Sequence, residues 1–530
     1  MGNRDFIFPV VLFLVAFYIW TLPIQVSHMP FGEGDAVWHY GVGDFIASHD
    51  RSIDKLPSYI GYWYYLFNPV LGPNALEYPP STHVNYAFME LFTGDRFVSV
   101  YIYKAITSFL GVFAVYFLVS RLYGAWPGFL AGFGMAFSSR EMLTYLWGQQ
   151  PTLLSVSIIP VVLYAFYSYL LSVFEGKAKN IYLYMTSLLL ISQYLLHIQG
   201  VIVSLTLMGV FSVLMLVKHR KFPVKNLSPV HLAVCAVLIA VVAVQFFNIY
   251  FGTQLDVGTE KGNFGRLFSW SIDPKLQEGS YPDFYFSFAH NYGSIGFFLP
   301  LIPFILIGIA FALLRRKNQD LLLVSWLIGV YITLHLDVFL GTSIPRIARM
   351  LIIEPQLFFA LAAIGAFYLP SLLKLNLDRQ LMKLGMSVLL ILVIVLTLGV
   401  SSYGFMKGAY SELMRVSPAE IDASDWMSRN LPEDAVIYNF GTISYPKMRF
   451  MHILSQRYMN SKPDGFVLAN SNITLIPTHY VFDYSDLARF SSDPQASKMI
   501  SDLESREKEV NGTKLYDKNS IRIYTVNKNA

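Results

Sequence analysis

Long apolar segments recur along almost the whole chain and are separated by short polar connections. About 20 consecutive apolar residues are enough to cross the hydrocarbon core of a bilayer. We therefore predict a polytopic α-helical membrane protein with about eleven transmembrane helices. The predicted spans are residues 6–26, 97–120, 125–139, 151–174, 181–199, 201–217, 230–251, 292–314, 320–340, 348–373 and 384–406.

Composition agrees with this pattern. Of the 530 residues, 54% are hydrophobic and only 14% are charged, whereas soluble domains carry about 25% charged residues. The net charge of +4 is small, and the basic residues lie in short loops, so the charge indicates membrane topology and not nucleic-acid binding. Cys235 is the single cysteine, which excludes an intrachain disulfide and a Cys-based zinc site.

The first apolar run, residues 6–26, has two interpretations. A cleaved signal peptide would be shorter and would end at a small-residue site such as Ala-x-Ala. The run is long and no such site follows it. We therefore expect a retained first span.

The distribution of Lys and Arg predicts which side of the membrane each connection faces. One alternating set of connections, beginning with the N-terminus, holds fourteen Lys and Arg residues, whereas the opposite short loops hold only Arg140, Arg346 and Arg349. Cytoplasmic loops carry the basic excess in membrane proteins. We predict an integral plasma-membrane protein with a cytoplasmic N-terminus and an extracytoplasmic C-terminus.

Three longer segments then face the outside of the membrane. Residues 27–96 form an acidic first loop, and residues 252–291 form a second large loop rich in glycine and aromatic residues. Residues 407–530 have an ordinary soluble composition, with strand-like and helix-like runs that predict a small α/β domain. The chain therefore divides into a transmembrane module, residues 1–406, and this soluble domain.

The first outside loop opens with an acidic, glycine-containing motif, Phe31-Gly-Glu33-Gly-Asp35, followed by His39. Asp35 and His39 are four residues apart and would share one face of a helix. A carboxylate here could act as general base for a hydroxyl or amine nucleophile, or could bind a metal ion together with His39. The alternative is that Asp35 only caps the N-terminus of a helix.

The same loop contains the segment Glu77-Tyr78-Pro-Pro-Ser-Thr-His83. Two consecutive prolines stiffen the backbone and remove two N–H donors. The segment could therefore hold Glu77, Tyr78 or His83 against a pocket, or could be a rigid surface turn. If a divalent metal is bound, Asp35, His39 and His83 are the candidate ligands, although their spacing matches no dedicated metal motif.

Taken together, the acidic motif after span one, the Tyr-Pro-Pro of the same loop, the many spans and the outside C-terminal domain resemble the GT-C glycosyltransferases. This superfamily includes protein O-mannosyltransferases, aminoarabinose transferases of lipid A and oligosaccharyltransferases. The resemblance implies sugar transfer from a polyprenyl phosphate or diphosphate at the outer face, with an acidic loop residue at the reaction centre. That role falls on Asp35, with Glu33 as second choice. The Trp-Trp-Asp motif of oligosaccharyltransferases does not occur.

Basic residues near the outer ends of the spans are candidates for binding the carrier phosphate. Arg346 and Arg349 lie at the outer end of span ten, where relatives of this kind often hold the lipid phosphate, and the planar guanidinium suits phosphate oxygens. They could instead be interfacial anchors that reach the headgroups. Lys104 lies inside span two, where a charge is costly and often functional; it could meet the phosphate or an acidic neighbour.

Two weaker signals complete the candidate substrate-binding residues. The second outside loop offers Lys261, Arg266 and His290, and a loop of this length often becomes ordered when substrate binds. His197 lies at the outer end of span five, where it could line a cavity or could be purely structural.

The function expected from these features is inverting transfer of a sugar from a polyprenyl-phosphate carrier to a lipid, glycan or protein acceptor, with Asp35 as base. A transporter or lipid flippase is the main alternative, but few charges lie near the bilayer midplane and no internal repeat is visible. A second alternative is an assembly protein that keeps the fold without activity. The sugar and the acceptor are not specified by any motif.

Overall fold

The computed structural model is mainly helical and ends in a small α/β region. It describes residues 3–32, 34–49, 81–220, 223–245, 300–336, 351–372, 379–410, 415–441, 445–460, 466–467, 474–489 and 494–526. The chain forms two compact units. The helical unit comprises Met1–Leu22, Lys104–Tyr145 and Gln150–Lys407, and the mixed unit comprises Pro23–Tyr103, Leu146–Gln149 and Gly408–Ala530.

Each predicted span overlaps a helix within the described residues. Among the described residues, five helices are long and apolar enough to cross a membrane. The other predicted spans coincide with shorter helices, so the number of crossings remains a prediction. In chain order, the helices at the predicted spans are Asn3–Trp20, Val98–Tyr123, Ala125–Ala136, Gln150–Phe174, Asn180–Leu196, Ile198–His219, Pro229–Gln245, Ile302–Arg315, Asn318–Leu334, Glu354–Leu372 and Arg379–Gly408.

Small residues allow two of these helices to approach closely. A Cβ atom at Gly308 would overlap the backbone of Leu361, and a Cβ atom at Gly365 would overlap the backbone of Phe304. The Ile302–Arg315 and Glu354–Leu372 helices therefore pack backbone to backbone, as is common where van der Waals contact drives association in a bilayer.

The C-terminal part of the mixed unit contains seven short strands among the described residues. They are β1 Val436–Phe440, β2 Tyr458–Asn460, β3 Phe466–Val467, β4 Thr474–Leu475, β5 His479–Asp483, β6 Lys514–Lys518 and β7 Ile521–Thr525. Five strands form a sheet in the order β2-β1-β5-β7-β6, and β3 and β4 form a separate pair. Strands β1, β2 and β5 are parallel, and β5, β7 and β6 are antiparallel. β1, β5 and β7 coincide with runs that the sequence pattern predicts as strands, which begin at Ala435, Tyr480 and Ile521.

Helices cover this sheet and supply its apolar core. The first, Pro418–Asn430, starts with a capping box in which Ser417 and Glu420 satisfy each other's backbone N–H groups. Its buried Ala423 and Met427 pack with Ile437 and Val481 of the sheet. The other helices here are Tyr445–Ser455, Ser485–Arg489 and Pro494–Lys508.

Two helices of the loop 27–96, Gly34–His49 and Ser81–Thr93, belong to the same unit as this sheet. Tyr40 lies 6.2 Å from Phe450 between ring centroids, and Gly41 leaves no room for a Cβ beside Ile453. This grouping differs from the division at residue 406 expected from composition, because the loop helices pack on the C-terminal domain.

Candidate functional site

The helix Gly34–His49 begins directly at the acidic motif, with Asp35 in its first turn and partly exposed. Asp35 lies within the helix and is therefore not its N-cap residue, but this is a position where the helix dipole favours a carboxylate. Gly148 has a φ of +83°, and a Cβ there would overlap the backbone of Ala36. The helix start is thus fixed by close backbone contact with the segment Leu146–Gln149.

The segment before the motif is held by a buried arginine from the C-terminal region. Arg415 donates to the carbonyl oxygen of Pro23 at 2.6 Å, to those of Ser27 and Met29 at 3.1 and 3.2 Å, and to that of Tyr410 at 2.8 Å. The approach to the acidic motif is therefore fixed by a cation that binds backbone carbonyl groups.

Phe31 provides a second attachment for the same segment. Its carbonyl accepts a 2.7 Å hydrogen bond from the Tyr101 hydroxyl, and the two rings lie 4.5 Å apart. The Arg415 guanidinium lies over the Phe31 ring at 5.0 Å, a cation–π distance.

His39 and His83, both named from sequence, meet in the buried core between the two loop helices. His39 Nδ1 lies 2.8 Å from His83 Nε2, and Trp38 packs edge to face on the His83 ring at 5.0 Å. Burial lowers the pKa of His83 well below its usual value, and the charge of His39 lowers it further. The buried pair thus joins the two helices.

A charged network fixes the other end of the Gly34–His49 helix. Asp44 accepts two hydrogen bonds from Arg96, at 2.5 and 2.9 Å, and Arg96 also bonds to Asp425 at 2.9 Å. Burial raises the pKa of Glu90 nearby to about 8, Asp44 raises it further and Arg96 opposes the shift. Arg96 therefore ties the loop to the C-terminal domain.

The helical unit holds its own buried charged group. Arg140 pairs with Glu354 at the start of the Glu354–Leu372 helix, and Ser138 donates to the neighbouring Glu141. Among the described residues, the second oxygen of Glu141 has no hydrogen-bond partner, and burial raises the pKa of this carboxyl to about 8. Arg140, which interrupts the positive-inside pattern, is thus part of a buried ion pair.

Two other candidate residues from the sequence, Lys104 and His197, lie in the helical unit, and the structure shows their contacts. Lys104 is buried with its ammonium 5.1 Å from the centre of the Tyr145 ring, a cation–π contact. His197 caps the Ile198–His219 helix, its Nδ1 accepting from the backbone N–H of Gln199 at 3.2 Å. The structural interpretation of His197 therefore accounts for its position.

The remaining candidates cannot be placed. Glu33, Glu77, Tyr78, Lys261, Arg266, His290, Arg346 and Arg349 lie outside the described residues. Their proposed roles stay predictions.

The described residues do not supply the set of side chains that a metal site would need. Within the described ranges, no three His, Cys, Asp or Glu side chains gather as a metal site would need. His39 and His83 instead direct one ring nitrogen each toward the other. We therefore assign no step to a metal.

The sequence patterns did not identify the residues whose partners lie far away along the chain. Arg415, the Arg96–Asp44 pair and the Arg140–Glu354 pair each join positions far apart in the chain. Local motifs carry no signal for such partners. The exception is Arg140, which is one of the few basic residues in the connections predicted to face the outside.

Comparison with known proteins adds a family and a fold. A model for a family of unknown function (DUF6541) matches residues 6–441. No curated protein matches the chain in sequence.

Solved structures do match, and they have the GT-C fold expected from the sequence. ArnT from Cupriavidus metallidurans bound to undecaprenyl phosphate matches with a TM-score of 0.59 and 12% identity, over 100% of this chain and 99% of that one. The apo form of the same protein gives 0.55 and 12%, over 97% of both chains. The apo oligosaccharyltransferase of Archaeoglobus fulgidus gives 0.53 and 16%, over 98% and 74%. The predicted resemblance to the GT-C superfamily is thus confirmed in the fold.

Proposed function

We propose that the chain, which belongs to the family of unknown function DUF6541, is a membrane glycosyltransferase that takes its sugar from a polyprenyl-phosphate carrier. The observation that carries this proposal is the full-length fold match to ArnT, one of whose structures is bound to undecaprenyl phosphate. Fold alone does not define an activity. The acidic helix start at Asp35 supplies the chemical group that such a reaction needs.

In the proposed reaction, Asp35 takes the proton of an acceptor hydroxyl or amine. The acceptor atom then forms a bond to the anomeric carbon of the sugar as the bond from that carbon to the phosphate oxygen breaks. The electron pair leaves with the lipid phosphate, and the configuration at the anomeric carbon inverts. Because the phosphate is a good leaving group, the step needs no strong general acid.

The surroundings of Asp35 support the base assignment. The carboxylate is partly exposed and therefore accessible to an acceptor, while its backbone is fixed by Gly148 and Ala36. A fixed position matters, because a displacement of about 1 Å can lower a rate about a hundredfold. Arg346 and Arg349 remain our proposed partners for the departing phosphate. Glu33 is our second choice for the residue that acts as base.

We also propose the topology indicated by the basic residues, with the N-terminus in the cytoplasm. Residues 27–96, residues 252–291 and the C-terminal domain then face the outside of the plasma membrane. The acceptor, whether lipid, glycan or protein, would be met on that side.

The test is transfer from labelled polyprenyl-phosphate sugars in membranes that contain the protein. We expect Asp35→Asn to lower the rate by about 10²–10⁴-fold, the usual contribution of a positioned general base. Asp95→Asn is the matched control, because Asp95 accepts from the backbone N–H groups of Phe97 and Val98 and an asparagine can do the same.

Two results would contradict the proposed function or the proposed role of Asp35. Normal transfer by Asp35→Asn would exclude Asp35 as base. Movement of the intact lipid-linked sugar across the membrane, with no release of the lipid phosphate, would identify a flippase instead.

A further inference from the structure

The loop helix Ser81–Thr93 has its polar and apolar faces reversed. Its buried side carries Thr82, His83, Tyr86 and Ala87, of which the first three have polar groups. Its outer side carries large apolar side chains with high exposed fractions, namely Val84 at 45%, Phe88 at 59%, Leu91 at 66% and Phe92 at 75%. A surface helix of a soluble protein normally shows the opposite arrangement.

The exposed side chains form one continuous stripe. Val84, Phe88, Leu91 and Phe92 follow the spacing i, i+4, i+7 and i+8, which places them on one face. The rings of Phe88 and Phe92 stack with centroids 5.7 Å apart. Contiguous apolar surface of this kind marks a site of interaction with a protein or a membrane.

The position of the helix in the chain identifies the membrane as the partner. Four residues separate Thr93 from the start of the Val98–Tyr123 helix, which is long and apolar enough to cross a bilayer. Gly94 between them has a φ of +69°, a conformation that glycine adopts readily in tight turns. The loop helix is therefore tethered directly to the end of a predicted span.

The depth of the loop helix follows from a ring contact. Tyr86 packs edge to face on Tyr103 at 6.1 Å, so the loop helix runs back along the first turns of the span. Tyr103 is five residues beyond Val98, which corresponds to about 7.5 Å along the helix axis. Phe88 and Phe92 lie between Tyr86 and the turn, at the level where amphipathic helices insert about 5–10 Å into the headgroup and acyl boundary.

We propose that Ser81–Thr93 is a membrane-surface anchor whose Val84, Phe88, Leu91 and Phe92 side chains insert into the outer leaflet. Its sequence contains no Lys or Arg, so binding is apolar and does not depend on anionic lipid. Through the contact of His83 with His39, the anchor holds the Asp35 helix at the level of the lipid headgroups.

The test measures contact with lipid directly. In a Cys235→Ala background, which has no other cysteine, Phe88→Cys and Phe92→Cys are labelled with bimane and reconstituted in phosphocholine vesicles. The lipids carry a nitroxide at the headgroup, at acyl carbon 5 or at acyl carbon 12. Met499→Cys is the matched control, since Met499 is 47% exposed on the Pro494–Lys508 helix of the C-terminal domain.

We expect the headgroup and carbon-5 nitroxides to quench the labels at 88 and 92 at least about twofold more than the label at 499, with weaker quenching from carbon 12. Added phosphatidylglycerol should leave the result unchanged. Quenching no greater than that of the control would overturn the proposal. Iodide would then identify the surroundings of the labels: if iodide quenches them, the labels face water, and if it does not, a protein segment covers them. Val84→Cys replaces either variant that fails to give monodisperse protein.

The readout needs no transfer activity, so it can be separated from the proposed function. A protein that shows quenching but never transfers sugar would retain the anchor and lose the glycosyltransferase assignment. A protein that transfers sugar but shows no quenching would retain the glycosyltransferase assignment and lose the anchor.

Discussion

Two regions of the molecule gather charged side chains, and they hold them by different means. In the mixed unit, Asp35 is partly exposed, and its position is set through the backbone by Gly148 and Arg415. In the helical unit, Arg140 and Glu354 are buried and hold each other. A carboxylate fixed through its backbone can exchange partners with a substrate, whereas a buried ion pair cannot do so without a large loss of stability. The first arrangement suits chemistry and the second suits architecture.

Removing one member of the buried pair should have the largest effect on stability. Arg140→Met leaves Glu354 as an uncompensated buried charge, and we expect a loss of about 3–5 kcal/mol. The double variant Arg140→Met/Glu354→Leu should recover most of this loss, because a well-packed apolar pair often matches a buried ion pair in stability. Thermal unfolding in detergent measures both. A double variant no more stable than the single one would show that the site needs charge.

The backbone contact beside Asp35 should give the next largest effect. Gly148→Ala places a methyl group against the backbone of Ala36, and we expect a loss of roughly 2–4 kcal/mol from overpacking together with left-handed strain. Transfer activity should fall with it, since Ala36 adjoins Asp35.

Gly94→Ala is the control for that variant. Gly94 has a similar φ of +69° but no atom within 4 Å of an added Cβ, so only the strain of about 1–2 kcal/mol applies. Equal losses in the two alanine variants would mean that contact with Ala36 does not position the helix.

The sequence predicts the parts of the molecule that follow from local patterns. Apolar runs mark the helices, as the match of 151–174 with Gln150–Phe174 illustrates. Ala435, Tyr480 and Ile521 begin runs that mark β1, β5 and β7. The glycines around Glu33 and Asp35 mark a helix start, because a tight turn and an acidic first turn are both local features.

The rest depends on partners that no local pattern identifies. His39 and His83 are 44 positions apart and become a buried pair only when two helices meet. Arg415 looks like an ordinary basic residue until the chain brings Pro23 to it, 392 positions away. β2 has three residues and β3 has two, which is too short for an alternating pattern to mark them in the sequence.

A substitution at Arg415 should have a smaller effect on stability, and it tests how the mixed unit positions Asp35. Arg415→Lys keeps the charge but cannot reach Pro23, Met29 and Tyr410 together, and we expect a loss of about 2–3 kcal/mol from hydrogen bonds to a charged group. The kcat for transfer should fall more than KM changes, because the acceptor still binds while Asp35 is displaced. Exposed Arg429 provides the control, and Arg429→Lys should change stability by less than about 0.5 kcal/mol.

The histidine pair should give the smallest effect, visible only with pH. The pKa of His83 is lowered in the folded protein by burial and by His39, so the unfolded chain takes up this proton at a higher pH. The contribution of neutral His83 is therefore fully present above about pH 6.5 and is lost as the pH falls below that value, by up to about 1.4 kcal/mol for each pH unit.

His83→Asn should flatten the decline in unfolding temperature between pH 7 and pH 5, because it removes this proton uptake. Glu90, with its pKa raised to about 8, acts in the opposite direction, since the folded state keeps a proton that the unfolded chain releases at lower pH, and this contribution to stability is lost as the pH rises through about 8. Glu90 is present in both the His83→Asn variant and the wild type, so its contribution cancels when their unfolding temperatures are compared. His28→Asn, at an exposed position in the same loop, should keep the wild-type slope; if it flattens the curve as much as His83→Asn does, the buried pair is not the source of the acid sensitivity.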